Sequence, residues 1–285
     1  MSETIEQDLS GVSDTYLAPL YWKAMESQRP DTILKDEKAE ALVAQMTADG
    51  YDFSRVRQIK MNELLYAMRV IFTREIDRYA RDFLSRHPEA VVVHIGCGLD
   101  ARFERVGCDQ PDTSQVEWYD LDLPEVIELR RKLIDGEEGR YHLLGCSVLE
   151  PAWQEAVRVH RGRPFLFLAE GVFMYFTETQ VKSLVLTLRD HFPGAELVFD
   201  GWRPFEIWLG NFVLGGLLRW GFWRGQELEG WGSASSAGDG IRLLDEWGYF
   251  DRPEPRLHSF RWMAPIFRLL KPMRVFHFQL GKGVR

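Results

Sequence analysis

The apolar positions of this chain change period near residue 89, and that change organises everything around it. From about Met61 to His87, apolar side chains recur at i, i+3 and i+4, through Leu64, Leu65, Met68, Ile71, Phe72 and Ile76 and on to Leu84. This spacing predicts a long amphipathic helix with one wide buried face, ended by Pro88. Two shorter helices are predicted upstream. One is TYLAPLYWKAMES, after a cap at Ser13 or Asp14, and the other is DEKAEALVAQM. Residues 1–88 are therefore expected to be a helical cover, packed on a core formed by residues 89–285 within one structural domain.

From Ala90 the pattern becomes that of strands: VVVHI (91–95), VEWYDLD (116–122), YHLLG (141–145), PFLFLAE (164–170) and AELVFD (195–200). Most are apolar on both faces and alternate with helical segments, which predicts a mostly parallel sheet covered on both sides. Pro124 and Pro151 suit first helical turns, and Thr177 to Gln180 has the form of a capping box. After Asp200 a Trp- and Gly-rich stretch, about 201–240, is expected to be an inserted lid, with SASSAGDG (233–240) as a loop inside it. The aromatic cluster Trp202, Trp208, Trp220, Trp223 and Trp231 is read either as core or as an apolar cover over a substrate. Ile241 to Trp247 is predicted to be a short helix, and MRVFHFQLG (273–281) the final strand.

Composition narrows the class. Hydrophobic residues make up 45% of the 285 and charged residues 27%, enough apolar side chain for a large buried core. The net charge of −8 argues against nucleic acid or an anionic surface as partner. Cys97, Cys108 and Cys146 have no metal-ligand spacing, so no metal site is expected, and free thiols suit a cytoplasmic protein. The acidic start MSETIEQDLS does not read as a signal peptide. The apolar run IWLGNFVLGGLL (207–218) is too short to span a bilayer, which takes about 20 residues.

The chemistry begins where the first strand ends, at Gly96-Cys97-Gly98-Leu99-Asp100-Ala101. This run satisfies a relaxed dinucleotide-binding pattern, yet the same turn serves other nucleoside ligands. Asp122 lies at the end of the next strand, where a carboxylate accepts hydrogen bonds from ribose hydroxyls in either class; Asp120 is its understudy. Asp122 has a plainer reading as a cap for the helix starting at Pro124. Glu170, at the end of the fourth strand, discriminates. It would repel a pyrophosphate but attract the ammonium and sulfonium of S-adenosylmethionine, which favours a methyl donor. His94, inside the first strand, reads as a satisfied core histidine.

In this order and spacing HIGCGLDAR, WYDLDLPEV, FLAEGVFMYF and ELVFD resemble the leucine carboxyl methyltransferase family, in its bacterial polyketide-type O-methyltransferase branch. The resemblance implies an α/β class I methyltransferase fold. This is a Rossmann-like doubly wound sheet of seven strands with the last antiparallel, carrying an N-terminal helical extension and an inserted lid. It also implies S-adenosyl-L-methionine as cofactor, with Gly96 and Gly98 against the cofactor backbone and Asp122 on the ribose. Ser147 and Val148 would lie near the adenine, and Glu170 near the methionine moiety. Phe72 stands where relatives carry an arginine for the cofactor carboxylate, so Arg69, one helical turn earlier, is the candidate replacement, with Lys23 and Lys60 behind it. Tyr175, in the loop after Glu170, is the candidate catalytic side chain, read as orienting the acceptor. The expected activity is O-methylation of a carboxylate or phenolic hydroxyl on a small polyketide-like acceptor. The alternatives are a nicotinamide-dependent oxidoreductase, an inactive cofactor-binding protein, and a protein carboxyl methyltransferase.

Overall fold

Alternate residues along each strand enter two different cores, and this division sets the architecture. The computed structural model describes residues 14–58, 63–108, 115–134, 139–232 and 240–282. Seven strands, β1 (Val91–Ile95), β2 (Glu117–Asp122), β3 (Tyr141–Gly145), β4 (Phe165–Ala169), β5 (Ala195–Gly201), β6 (Ile241–Trp247) and β7 (Arg274–Leu280), form one sheet in the order β3-β2-β1-β4-β5-β7-β6. Only β7, among the described strands, runs against its neighbours β5 and β6, matching the seven-stranded class I arrangement.

On one face Val91, Val93 and Ile95 pack with Phe165, Phe167, Leu197 and Phe199. The helix Glu178–His191 closes that face with Val181, Leu184, Val185 and Leu188, and its start is fixed by a Thr177/Gln180 capping box. On the other face Val92, Leu166, Leu168 and Val198 meet Ile71, Phe72, Ile76 and Phe83 of the long helix Glu63–Arg86. The N-terminal helices Asp14–Ser27 and Glu37–Ala48 form a third cluster with Leu99, Leu129, Leu133 and Ile134, which seats them beside the glycine loop. Glu196 of β5 ties the sheet to the long helix, accepting from Arg86 Nη2 at 2.9 Å and pairing with His277 of β7 at 2.6 Å.

The segment Ile241–Trp247 is a strand, not the helix predicted for it. Its register against β7 slips between Leu243 and Asp245, leaving Leu244 as an extra residue. The bulge swaps faces: Ile241 and Leu243 join the core under Glu178–His191, while Trp247 joins the core under the long helix. Two-residue alternation is thereby erased, and Ile241, Leu244 and Trp247 come to mimic a helical stripe. Pro151 sits at the N-cap of the helix Ala152–Arg158, one position before the turn expected to hold it. Ser13, Lys60 and residues 233–239 of the expected loop lie outside the described residues. Among the described residues no helix is long and apolar enough to cross a membrane.

Strand order reverses between β1 and β4, and in open α/β sheets that reversal opens a crevice at the carboxyl ends of the strands. The glycine loop after β1 and Glu170 after β4 flank it.

Phe72 is 3% exposed and meets Trp247 and Tyr249, each at 6.2 Å between ring centroids. Phe72→Ala should lower the unfolding free energy in urea by about 3–5 kcal/mol. An unchanged denaturation midpoint would show that this residue is not part of the core.

Candidate functional site

Strand parity places the polar residues of the crevice on the face covered by the long helix. Asp122 ends β2, Glu170 follows β4 and Asp200 is the last but one residue of β5, in phase with Trp118, Leu168 and Val198, all of which lie in the core under that helix. Arg69 and Thr73, one turn apart on the helix, look towards the same strand ends. Thr73 Oγ1 donates to Glu170 Oε1 at 2.7 Å. Arg69 is solvent-exposed, and its positive charge is felt at Tyr175, Asp200 and Tyr249.

The loop that follows β1 needs glycine at both its glycine positions. Gly96 has φ +66° and Gly98 φ +53°, and a Cβ on Gly96 would overlap the side chain of Val172. Asp122 locks this turn: its Oδ2 accepts from Gly98 N at 2.8 Å and its Oδ1 from Leu123 N at 2.7 Å. Leu123, not Asp122, is the N-cap residue of the helix Pro124–Leu133. Burial pushes the Asp122 carboxyl up, and the two backbone hydrogen bonds only partly oppose this.

Asp120 does not reach the crevice. It is 0% exposed and binds Tyr141 Oη (2.6 Å), Trp118 Nε1 (2.8 Å), His94 and Arg130. Burial would raise its carboxyl, but Arg130, helped by His94 and Tyr141, holds it down at about 2. Asp120 therefore cannot stand in for Asp122, because both oxygens of its carboxylate are already occupied. Ser147 is half-buried just past β3, where its hydroxyl accepts from Leu149 N at 3.2 Å. Val148 is buried, and its carbonyl accepts from Trp153 Nε1 at 3.0 Å.

Glu170 is held by a fully buried arginine that the sequence did not single out. Arg102, just beyond the glycine loop, donates to Glu170, to Asp77 on the long helix (2.8 Å) and to His94 Nε2 (2.8 Å). Because a guanidinium can only donate, His94 Nε2 is the acceptor and its Nδ1–H faces Asp120 at 3.2 Å. Burial and the neighbouring Arg102 keep this histidine neutral. Arg105 extends the network to Asp77 (2.6 Å), Asp100 (2.6 Å) and Asp36 (2.8 Å), and Lys23 binds Asp100 at 2.5 Å. Lys23 is thus committed to the glycine loop, and Arg74 to Glu254 at 2.8 Å. Phe72 points into the core, so it offers nothing to a ligand. Among the described residues no cluster of side chains suits a metal ion.

Asp200 is the other residue that sequence reasoning passed over, although ELVFD placed it at a strand end on the crevice. Its Oδ1 accepts from Gly171 N at 2.7 Å and its Oδ2 from Trp202 Nε1 at 2.8 Å. Burial and the nearby Glu170 carboxylate push its pKa up to about 6, against the two hydrogen bonds and Arg69. Tyr175 lies half-buried in the turn Phe173–Tyr175, close enough to Arg69 and Asp200 to feel both charges, and burial raises its phenol.

Among the described residues Asp122 and Asp200 are the buried carboxylates with no cation within salt-bridge reach. The others, from Glu26 and Asp36 to Glu117 and Glu196, each have an arginine or histidine beside them. These acceptors fit a ligand that brings hydroxyl donors to β2 and positive charge to β5.

The leucine carboxyl methyltransferase model matches residues 17–189. The chain belongs to the leucine carboxyl methyltransferase family. A second comparison agrees, with 35% identity to the tetracenomycin polyketide synthesis O-methyltransferase TcmP of Streptomyces glaucescens over 97% of each chain. An S-adenosyl-L-methionine-dependent methyltransferase of Gibberella zeae, dpfgK, is 30% identical over 74% of this chain and 73% of its own. In fold the protein is similar to a DUF574 family protein of Streptomyces avermitilis (TM-score 0.56, 12% identity, 92% and 96% of the two chains covered). A Thermobifida fusca protein described as a methyltransferase gives TM-score 0.55 at 15% identity, covering 75% of this chain and 83% of its own. This leucine carboxyl methyltransferase relative is an S-adenosylmethionine-dependent methyltransferase, which settles the choice the glycine loop had left open.

Breaking a buried ion network by removing one partner typically costs about 3–5 kcal/mol. Asp77→Asn removes the carboxylate shared by Arg102 and Arg105 and should destabilise the protein by about that amount in urea unfolding. A loss below about 1 kcal/mol would mean that the network is no more than a surface ion pair.

Proposed function

We propose that the protein transfers the methyl group of S-adenosylmethionine to an acidic oxygen, a carboxylate or a phenolic hydroxyl, of a small polyketide-like acceptor in the cytoplasm. The observation that carries this reading is the similarity to a polyketide-pathway O-methyltransferase across 97% of both chains. Two features of the site support it. Both ring nitrogens of His94 are engaged by Asp120 and Arg102, so it is not available as a base. A carboxylate acceptor, with pKa about 4, is already ionised at neutral pH and needs none. The second feature is apolar surface. Trp208, Phe212, Leu217 and Trp223, which follow β5, are all more than half exposed, while Trp220 of the same stretch is buried against Phe222. This exposed aromatic surface is the proposed cover for an apolar acceptor.

When bound, the cofactor supplies an electrophilic methyl group on a sulfonium. The protein's part is to bind, orient and exclude water. Asp122 accepts from the ribose hydroxyls in this reading, with the backbone at Gly96 and Gly98 closing around the nucleoside and Ser147 and Val148 bordering the adenine. Glu170, fixed by Arg102 and Thr73, receives the ammonium. Arg69, which has no ion-pair partner among the described residues, pairs with the carboxylate. Tyr175 orients the acceptor.

Three outcomes test these roles. Asp122→Ala should weaken cofactor binding by about 1–3 kcal/mol, the scale of losing buried hydrogen-bond partners, read by calorimetry. Arg69→Ala should weaken it about ten-fold or more, the value of a charge-assisted pair. An unchanged dissociation constant would remove the residue concerned from the site. At saturating cofactor, kcat/KM for a carboxylate acceptor should stay flat from about pH 7 to 9, with Tyr175→Phe reducing but not abolishing turnover. A steep rise over that range, abolished by replacing one histidine, would contradict a pre-ionised acceptor.

A further inference from the structure

Asp200 differs from the other crevice carboxylates in what it connects. Its two oxygens join separate parts of the site. Gly171 N belongs to the loop carrying Glu170, and Trp202 is the residue from which the exposed aromatic stretch departs. Pairing of Ala169 with Phe199 in the sheet puts Glu170 and Asp200 side by side at the ends of adjacent strands. No cation lies within salt-bridge reach of Asp200 among the described residues. The groups that face it are Glu170 from β4, Arg69 from the long helix, Glu206 from the helix Pro204–Leu214, Tyr175 and Tyr249. A buried carboxylate set between a like charge and a distant arginine has its ionisation decided by whatever charge arrives next.

We propose that Asp200 is a positioning residue that reads the positive charge of the bound cofactor and passes it to the acceptor cover. S-adenosylmethionine carries a sulfonium and an ammonium against one carboxylate, so its net charge is positive. Placed against Glu170, this charge favours the ionised form of Asp200. The ionised carboxylate accepts fully from both Gly171 N–H and Trp202 Nε1–H. A protonated carboxyl has one oxygen that accepts poorly, so one of these two ties slackens. Cofactor binding thereby fixes the root of the cover, and loss of the sulfonium charge after methyl transfer relaxes it. The inference needs the cofactor but not the identity of the acceptor.

The sign follows from linkage. A ligand that prefers ionised Asp200 binds less tightly once the free protein's carboxyl is protonated, so affinity falls as the pH drops through about 6. The test is calorimetric titration of the full-length protein with S-adenosylmethionine, and separately with its demethylated product, between pH 5 and 8. For S-adenosylmethionine the wild type should bind about ten-fold more weakly at pH 5 than at pH 8, the loss expected when a group of pKa near 6 must first ionise. The demethylated product should show a smaller change. Asp200→Asn should lose this step and keep only the slope from Asp122, whose carboxyl is also raised. Trp202→Phe removes a hydrogen bond that favours the ionised form, so its midpoint should move to higher pH. A wild-type affinity that is level from pH 5 to 8 would overturn the proposal. So would an Asp200→Asn profile identical to the wild type, or, should that variant fail to fold, an unmoved midpoint in Trp202→Phe.

Discussion

The buried guanidinium of Arg102 joins the parts from which the site is assembled. It leaves the chain just after the glycine loop and makes contact with the long helix through Asp77, with β1 through His94 and with the end of β4 through Glu170. A charge enclosed at 0% exposure is tolerable only with its partners in place, so these three elements are held in one relative position. Arg105 and Lys23 carry the same network out to the N-terminal helices through Asp36 and Asp100. The helical cover is thus tied to the glycine loop by ion pairs as well as by apolar packing.

Against this background the two uncompensated carboxylates acquire meaning. Among the described residues the fold places an arginine or histidine beside each of its other fully buried carboxylates, yet leaves Asp122 and Asp200 with neutral N–H donors. Both end strands at the crevice, and burial raises both. What sets these two apart from Glu104 and Glu206, which burial also raises, is their place at the carboxyl ends of the strands, where a ligand can complete the electrostatics. Asp122 lies on the side of the crevice nearer β3 and Asp200 on the side of β5, with Glu170 between them; in the proposed reading the first faces the nucleoside and the second the acceptor.

Much of this was legible in the sequence, for identifiable reasons. Strands apolar on both faces, such as VVVHI and FLFLA, announce a sheet covered on both sides. The helical period of residues 64–84 is undisturbed. The glycines, Asp122 and Glu170 stand at strand ends, where one-dimensional pattern and three-dimensional position coincide. What escaped depended on contacts between distant segments. The bulge at Leu244 scrambled the alternation of β6 into a helical stripe. Asp120 looked equivalent to Asp122 because both belong to β2, but Arg130 and Tyr141 claim Asp120 from other elements. Arg102 and Thr73 gave no signal beyond their spacing, and Asp200 was visible as a strand end without its missing cation. Phe72, where the family resemblance implied an arginine, packs with Trp247 and Tyr249, contributed from the opposite end of the chain.

The central claim is that the crevice is defined by two carboxylates the protein itself leaves uncompensated. The most direct measurement is a carbon-13 NMR titration of aspartate carboxyls in the unliganded protein, assigned by single Asp-to-Asn variants and repeated with S-adenosylmethionine bound. The account predicts that Asp122 and Asp200 titrate above Asp77, Asp100 and Asp120, and that cofactor shifts Asp122 and Asp200 while leaving Asp77 and Asp120 where they were. Asp122 and Asp200 titrating with the paired aspartates, or remaining unmoved by cofactor, would contradict it.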